Sequence, residues 1–529
     1  DHKKMGITAR GAWESVKRHF RELDRNIQKT EFTAVGIGDM AGDVFGNGVL
    51  LSKQMKLVAA FNHRHIFIDP NPDPAVSFKE RKRLFSLLRS TWADYDATLI
   101  SKGGGVFKRS DKCITLSDEI RGLLGTRKEH IIPAELITLI LQAPVDLLWN
   151  GGIGTFAKAS TESHLDVGDR INDSLRVDAK NLQCKVVGEG GNLGFSQKAR
   201  VEFALGGGKI YTDFVDNSAG VNCSDHEVNI KILLNQVVAE GDLSKKQRNQ
   251  LLSSMTKEVG ELVLRDNYRQ TLALSYAVWR AKDHFDQYAR YLTEMVSKKV
   301  INVALESLPD KKETLRRKVD GLGFSAPELA VLFAYCKIDL KNDILKTKLP
   351  EDPAVAYMLT CEFPQPLREQ FGQQMQVHML RREIIAMQIS NMIVNEMGIA
   401  FVSRLREETG ASVSQVIRAF MIAQNIFEKT KFLNAIKSLD LKVAPDVQFK
   451  LMKSINRLIR RGTRWLLRNR RGVMNVAALI EHFAQPVCAL SSTLSHVVSK
   501  EDSEQLAKRT AELMALGEPE QVAQGIASC

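Results

Sequence analysis

Up to about residue 240, short apolar or β-branched runs alternate with longer segments in which apolar residues return every three or four positions. Phe32–Val35, Leu57–Phe61, Ile66–Ile68, Ala97–Ile100, Val145–Trp149, Cys184–Val187 and Ile210–Phe214 read as strands. Val44–Lys56, Phe78–Arg89, Ala134–Leu141 and Gln197–Ala204 read as helices. Alternation of this kind predicts a parallel, doubly wound sheet. Beyond residue 240 glycine thins out and helical stripes take over. Val278, Ala281, Phe285, Tyr288, Leu292 and Met295 mark one, and Ile385, Ile389, Met392 and Ile393 another. Ser325-Ala-Pro-Glu328 has capping-box spacing ahead of the apolar run Leu329–Ala334. The expected architecture is an α/β, Rossmann-like domain over residues 1–235 and a large all-helical domain over 236–529. Breaks fall near Pro309, Pro350–Pro353, Pro364–Pro366 and Gly410, with a subdivision near 350–366.

The strand ends carry most of the information. Five glycine-, asparagine- or aspartate-rich segments follow or end predicted strands. They are Gly36-Ile-Gly-Asp39, Ser101-Lys-Gly-Gly-Gly105, Asn150-Gly-Gly-Ile-Gly154, Gly188-Glu-Gly-Gly-Asn192 and Asp216-Asn-Ser-Ala-Gly220. In a parallel sheet all such ends share one edge, where open α/β folds hold ligands. One glycine loop is turn chemistry; five on one edge predict a long polar ligand lying across the sheet.

Gly36-Ile-Gly-Asp-Met-Ala41 fits G-x-G-x-x-(G/A) between a predicted strand and a predicted helix, the context in which that pattern signifies a dinucleotide. Gly36 permits the tight turn, Gly38 admits the pyrophosphate and Ala41 allows close helix–strand packing. Asp39 would repel a pyrophosphate, so it is expected to turn away or cap the helix. For the adenosine ribose two registers compete. A strand ending at Phe61 puts Asn62 there with Arg64 nearby, which would not exclude a 2′-phosphate. One ending at Ile68 puts Asp69 there and favours NAD.

The composition is that of an ordinary globular chain: 529 residues, 44% hydrophobic and 26% charged. This excludes wholesale disorder. No run approaches the ~18 apolar residues of a membrane span; Ile384–Val394 is interrupted by Gln388, Ser390 and Asn391. No membrane partner is expected. Asp1-His-Lys-Lys4 carries no signal-peptide core, and Asp1 is no initiator, so the chain is expected to begin partway through something larger. Seven scattered cysteines without a C-x-x-C pair predict reduced, mostly buried thiols in a cytoplasmic protein.

The formal charge of +12 is concentrated in part between Asn456 and Arg471, where Arg457, Arg460, Arg461, Arg464, Arg468, Arg470 and Arg471 surround Trp465. Interleaved Leu458, Ile459, Leu466 and Leu467 make this an amphipathic helix with a solvated or subunit-contacting face, rather than a nucleic-acid site. His63 and His65 beside Asp69 lack a third metal ligand, and no metal is expected. His226, flanked by Asp225 and Glu227, reads as a helix N-terminal cap or, less favoured, a substrate-site group. Methionines near 375–397 read as core filling.

The stretch Val186-Val-Gly-Glu-Gly-Gly-Asn192, followed by Asp216-Asn-Ser-Ala-Gly-Val-Asn-Cys-Ser-Asp-His-Glu227, resembles the cofactor-domain core of glutamate dehydrogenases. Asn217, Gly220, Val221, Ser224 and Glu227 fall in register with that family. Further segments, among them His63-Arg-His-Ile-Phe-Ile-Asp-Pro70 and Leu148-Trp-Asn-Gly-Gly-Ile-Gly-Thr155, are similar to its very large, NAD-specific bacterial class. The resemblance covers essentially the whole chain. Gly191, Ala219, Asn222, Asp225 and His226 depart from the short-chain enzymes.

The resemblance implies NAD as cofactor and oxidative deamination of L-glutamate to 2-oxoglutarate and ammonia, in a homo-oligomer. It implies that Thr8 touches the nicotinamide end, that Gly36, Gly38 and Ala41 hold the pyrophosphate, and that Asn192 and Asn217 contact the nicotinamide ribose and carboxamide. Ser224 would bind the side-chain carboxylate of glutamate. The family's catalytic lysine and aspartate belong before the segment matched by Thr8-Ala-Arg-Gly11, so no catalytic residue is assigned here and the catalytic lysine domain is expected upstream. The alternative is a non-catalytic NAD-sensing module whose basic helical half binds a partner. A methyltransferase suits the paired Asn192 and Asn217 segments less well.

Overall fold

The structure is a computed structural model that describes residues 2–470, 472, 474–517 and 520–528. Arg471 of the arginine cluster and Cys529 lie outside them. The chain divides into two compact units: residues 1–285, 301–331 and 363–374, and residues 286–300, 332–362 and 375–529.

The first unit is built on a mixed six-stranded sheet. Its strands are β1 (Phe32–Ile37), β2 (Met55–Phe61), β3 (His65–Ile68), β4 (Gly105–Lys108), β5 (Leu147–Asn150) and β6 (Val186–Glu189). They run in the order β6-β5-β1-β2-β3-β4. Strands β6, β5, β1 and β2 are parallel; β3 is antiparallel to both β2 and β4. The all-parallel expectation fails at β3 for a simple reason. Only Asn62, His63 and Arg64 separate β2 from β3, whereas a parallel crossover needs a dozen residues or more. A hairpin is the only connection available. His63 accordingly lies exposed in the turn and does not share a strand face with His65.

Both faces of the sheet are apolar, which is why its strands read as near-continuous hydrophobic runs. On one face, helix α1 (Ile7–Glu22) packs Ala12, Trp13, Val16 and Phe20 onto Ala34, Leu57, Leu147, Trp149 and Val186. On the other, α4 (Pro133–Leu141) and α5 (Gln197–Leu205) pack Leu136, Ile140, Ala199 and Phe203 onto Val35, Val58, Leu148 and Val187. Between them in sequence lie α2 (Asp43–Gly48) and α3 (Pro74–Ser86). The latter starts where Asp73 accepts the Ala75 and Val76 N–H groups ahead of Pro74.

Three predicted elements differ. The helix expected over Val44–Lys56 is only the six residues of α2, because Ser52 turns the chain by bonding the Ile27 carbonyl at 2.6 Å and accepting Gln54 N–H. Ala97–Leu99 is a 3₁₀ turn, with Asp96 accepting the Thr98 N–H, so local side-chain bonding overrides strand propensity. The run Ile210–Phe214 does not join the sheet as a strand. Tyr211 instead bonds Thr271 and Ser275 of the helix Thr256–Trp279, and a one-turn helix begins at Asp213.

The second unit is helical. Arg381–Met397, Val413–Ile426 and Pro445–Asn469 contribute Ile385, Ile389, Ile417, Phe420, Ile455 and Ile459 to its buried residues. The arginine-rich helix is amphipathic as expected: Ile459 and Leu466 are buried, while Arg457, Arg461 and Arg468 are exposed. Arg464 pairs with Glu408 at 2.7 Å. Met375 is buried but Met379 is 75% exposed, so the methionines are only partly core. The Ser325–Glu328 capping box forms in the first unit, with Glu328 accepting the Ser325 N–H at 2.8 Å and an Arg317 N–H at 2.7 Å. Cys184, Cys223 and Cys336 are buried, but Cys113, Cys361 and Cys488 are exposed, more than expected. No single helix among the described residues is long and apolar enough to cross a membrane.

His19 of α1 is buried against the Tyr211 ring, centroids 4.1 Å apart. Burial lowers its pKa to about 4, with Glu22 opposing and Lys209 and Arg18 assisting. The folded state therefore resists a proton that the unfolded chain takes up below about pH 6.5, and stability drains as pH falls towards 4. The loss of stability between pH 7 and pH 5, measured by urea denaturation, should be smaller by about 2 kcal/mol in His19→Leu than in the wild type.

Candidate functional site at the sheet edge

Strand β1 ends in the glycine turn. Gly38 has φ of +137°, a conformation that side chains rarely adopt, and its N–H bonds the Phe61 carbonyl at 2.7 Å. A Cβ at Gly36 would lie 2.5 Å from the Phe45 ring. That ring packs edge-on against Trp92, whose indole N–H bonds the Gly38 carbonyl at 2.9 Å. The turn is thus held from below by aromatic packing, with Gly36 buried and Gly38 half-buried.

Asp39 caps the turn. Its Oδ1 accepts the Ala41 and Gly42 N–H groups at 3.1 Å each, and its Oδ2 accepts the Asn62 amide at 2.7 Å. Ala41 is exposed. The close helix–strand approach expected of it occurs instead at Gly48, where a Cβ would meet the Trp149 ring of β5 at 2.3 Å. The motif's third small residue is displaced because α2 starts only at Asp43.

The ends of β1, β5 and β6 come together beside this turn. Gly151 N–H bonds the Ile37 carbonyl, and Gly191 N–H bonds the Asn150 carbonyl, both at 3.0 Å. The Asn217 amide donates to Asn192 Oδ1. Thr8 reaches the same neighbourhood: its Oγ1 stands 2.7 Å from where a Gly220 Cβ would be, three residues after Asn217. Ser224 lies one helical turn further along the helix Ser218–Glu240 and donates to the Gly220 carbonyl at 3.2 Å. Asn192, Asn217, Thr8 and Ser224 therefore form a continuous series.

Asp69 is not brought to this edge. Because β3 runs backwards, its C-terminal end lies beside the middle of β2, where Asp69 N–H bonds the Val58 carbonyl at 2.9 Å. Its buried carboxylate accepts Ser101 N–H at 3.1 Å and the Ser101 hydroxyl. The segment Ser101–Gly105 goes with it, so four of the five glycine-rich segments share the edge and the fifth does not. Asn62 is the residue at the ligand-side end of β2. His226 is buried nine residues into its long helix and so is not its N-terminal cap.

A charged network behind the loops was not legible in the sequence. Arg200 of α5 donates to Glu189 at 2.7 and 3.0 Å and pairs with Asp213 at 3.0 Å, all three largely buried. Asp213 in turn accepts the Leu193 and Phe214 N–H groups at 2.8 Å, and Asp216 accepts Glu189 N–H at 2.9 Å. Burial pushes Glu189 and Asp216 upward, Asp216 well above the usual carboxylate range. For Arg200, burial works against the charge but Glu189 and Asp213 outweigh it, raising its pKa. These bonds brace the two segments that carry Asn192 and Asn217.

The residues fit a dinucleotide at one further point. Asn150, fully buried at the end of β5, has an Nδ2 with no hydrogen-bond partner among the described residues. An orphan donor of this kind at a ligand edge is expected to have a use.

Two family models cover most of the chain. One, described as bacterial NAD-glutamate dehydrogenase, catalytic domain, matches residues 1–277; the other, glutamate dehydrogenase, C-terminal, matches 321–529. The chain belongs to the bacterial NAD-glutamate dehydrogenase family. Proteins named NAD-specific glutamate dehydrogenase from Pseudomonas aeruginosa, Halomonas elongata and Mycobacterium tuberculosis are 51%, 49% and 47% identical to it. The matches cover 100%, 100% and 99% of this chain and 32%, 33% and 32% of those proteins. The chain thus spans about a third of the length of these curated relatives. The match to a domain described as catalytic removes support for the expectation that this chain lacks the catalytic domain.

Arg200→Met would leave Glu189 and Asp213 buried without their counter-charge, a change that costs about 3–5 kcal/mol. Chemical denaturation should show a loss of that size, and a loss below about 1 kcal/mol would mean that the network does not brace the edge.

Proposed function

We propose that this chain supplies the NAD site of a dehydrogenase that oxidatively deaminates L-glutamate to 2-oxoglutarate and ammonia. One observation carries the reading: the Gly36–Gly38 turn, Asn150, and the touching pair Asn192 and Asn217 converge where β1, β5 and β6 end. Membership of the family, and the names its relatives carry, support the same substrate and cofactor. We read the four parallel strands with helices on both faces as a Rossmann-like domain over roughly 1–235, and the helical remainder as serving assembly or regulation of a homo-oligomer.

The division of labour follows the geometry. The backbone of the turn at Gly36 and Gly38 holds the pyrophosphate, where side-chain-free positions allow close approach. The Gly38 N–H is bound to the Phe61 carbonyl and the Ala41 N–H to Asp39, so the turn contributes its shape rather than these two donors. Asn192 and Asn217 orient the nicotinamide ribose and carboxamide, and Asn150 adds a buried donor behind them. Thr8 closes the nicotinamide end. Ser224, one turn beyond Gly220, binds the distal carboxylate of glutamate by turning its hydroxyl away from the Gly220 carbonyl. The bound nicotinamide supplies a hydride acceptor. Holding the amino acid and the acceptor at one edge converts an encounter of two solutes into a single oriented complex.

Titration with NADH, followed by the fluorescence of the reduced nicotinamide, tests the reading. Saturable binding is expected, weakened at least about tenfold in Gly38→Ala and in Asn217→Ala. Unchanged affinity in both variants would overturn it.

A further inference from the structure

The mouth of the glycine turn presents a contradiction. Dehydrogenases that select NAD over NADP place an acid at the end of the second strand, against the adenosine ribose. Here that position is Asn62, followed by His63 and Arg64, and the acid expected nearby, Asp69, is buried beside the middle of β2. The surroundings are electropositive. Arg109 donates to the Asn62 carbonyl at 3.1 Å. His65 is held below its ordinary pKa, by burial first and then by Arg64 and Lys108, against a smaller upward pull from Asp94. A corner of this kind would attract a 2′-phosphate.

One carboxylate does reach it, from the opposite side. Asp39 Oδ2 sits 2.7 Å from the Asn62 amide nitrogen. Its rotamer is locked because Oδ1 accepts two backbone N–H groups of its own turn. Asn62 is equally fixed: its Oδ1 accepts the Arg64 and His65 N–H groups at 2.8 Å each, which leaves the amide nitrogen pointing at Asp39. The pair thus spans the gap between the turn and the end of β2.

We infer that Asp39, delivered by the glycine turn and anchored by Asn62, replaces the missing strand-end acid and selects NAD by excluding the 2′-phosphate of NADP. This rests on the dinucleotide reading of the edge. A fixed negative charge at hydrogen-bonding distance from the ribose repels a phosphate there, and its remaining lone pair accepts a ribose hydroxyl. Without it, the charges of Arg64 and Arg109 would dominate the ribose end.

The test compares NADH and NADPH binding by nucleotide fluorescence in three proteins. The wild type should favour NADH by at least about tenfold. Asp39→Asn should lose most of that preference, chiefly by gaining affinity for NADPH. The exchange Asp39→Asn with Asn62→Asp moves the carboxylate across the same hydrogen bond, and should restore the preference for NADH. A merely structural role for Asp39 would not be rescued in this way. If Asp39→Asn binds NADH yet keeps the wild-type ratio, the inference fails and the dinucleotide site stands. If no variant and not the wild type binds either nucleotide, the reading of the edge fails as well.

Discussion

A parallel sheet brings strand ends to a common edge, but it does not say where the loops beyond those ends will go. In this protein that decision rests on Arg200, enclosed by Glu189 and Asp213. Glu189 is the last residue of β6 and is fully buried, so its charge must be met inside the fold. Arg200 meets it in a two-point arrangement that fixes direction as well as distance. Asp213 also accepts the Leu193 N–H, on the oxygen that faces Arg200, and Asp216 accepts the Glu189 N–H. The outcome is that Asn192 and Asn217, from segments 25 residues apart, meet side chain to side chain. Buried charge is weak evidence for stability, because desolvation offsets much of the attraction. Its effect here is geometric.

The second constraint is a turn of three residues. By forcing β3 to run back along β2, Asn62–Arg64 sends Asp69 and the glycines at 103–105 away from the edge that β1, β5 and β6 share. The same turn places Asn62, whose side chain closes the hairpin through Arg64 and His65, next to Asp39. A single local feature thus removes one candidate for the ribose end and supplies another.

The aromatic packing beneath the glycine turn complements this polar frame. Phe45, backed by Trp92, fills the space that side chains at Gly36 and Gly38 would need, and the Trp149 ring that at Gly48, Gly188 and Gly190. The turn is therefore closely packed on this side. The residues of Gly36-Ile-Gly38 are conformationally committed before any ligand arrives, which lowers the ordering cost of binding.

Much of this was legible along the chain. Periodicity located all four parallel strands within a few residues, because strands buried on both faces are marked by unbroken apolar runs. It also located the helices Pro133–Leu141 and Gln197–Leu205, and the amphipathic helix that carries Arg457 and Arg461. The glycine turn and the pairing of the Asn192 and Asn217 segments were readable as motifs, since glycine and asparagine in those contexts answer to local backbone needs. Tertiary structure alone decided the rest. Ile210–Phe214 has strand composition, yet Tyr211 is drawn to Thr271 and Ser275 across 60 residues of sequence. Arg200 looks like any helical arginine until two distant carboxylates close on it. Asp69 and Asn62 were equal candidates until the direction of one strand separated them. Local propensity is written residue by residue; charge pairing and strand direction depend on which distant groups the folded chain brings within a few ångströms.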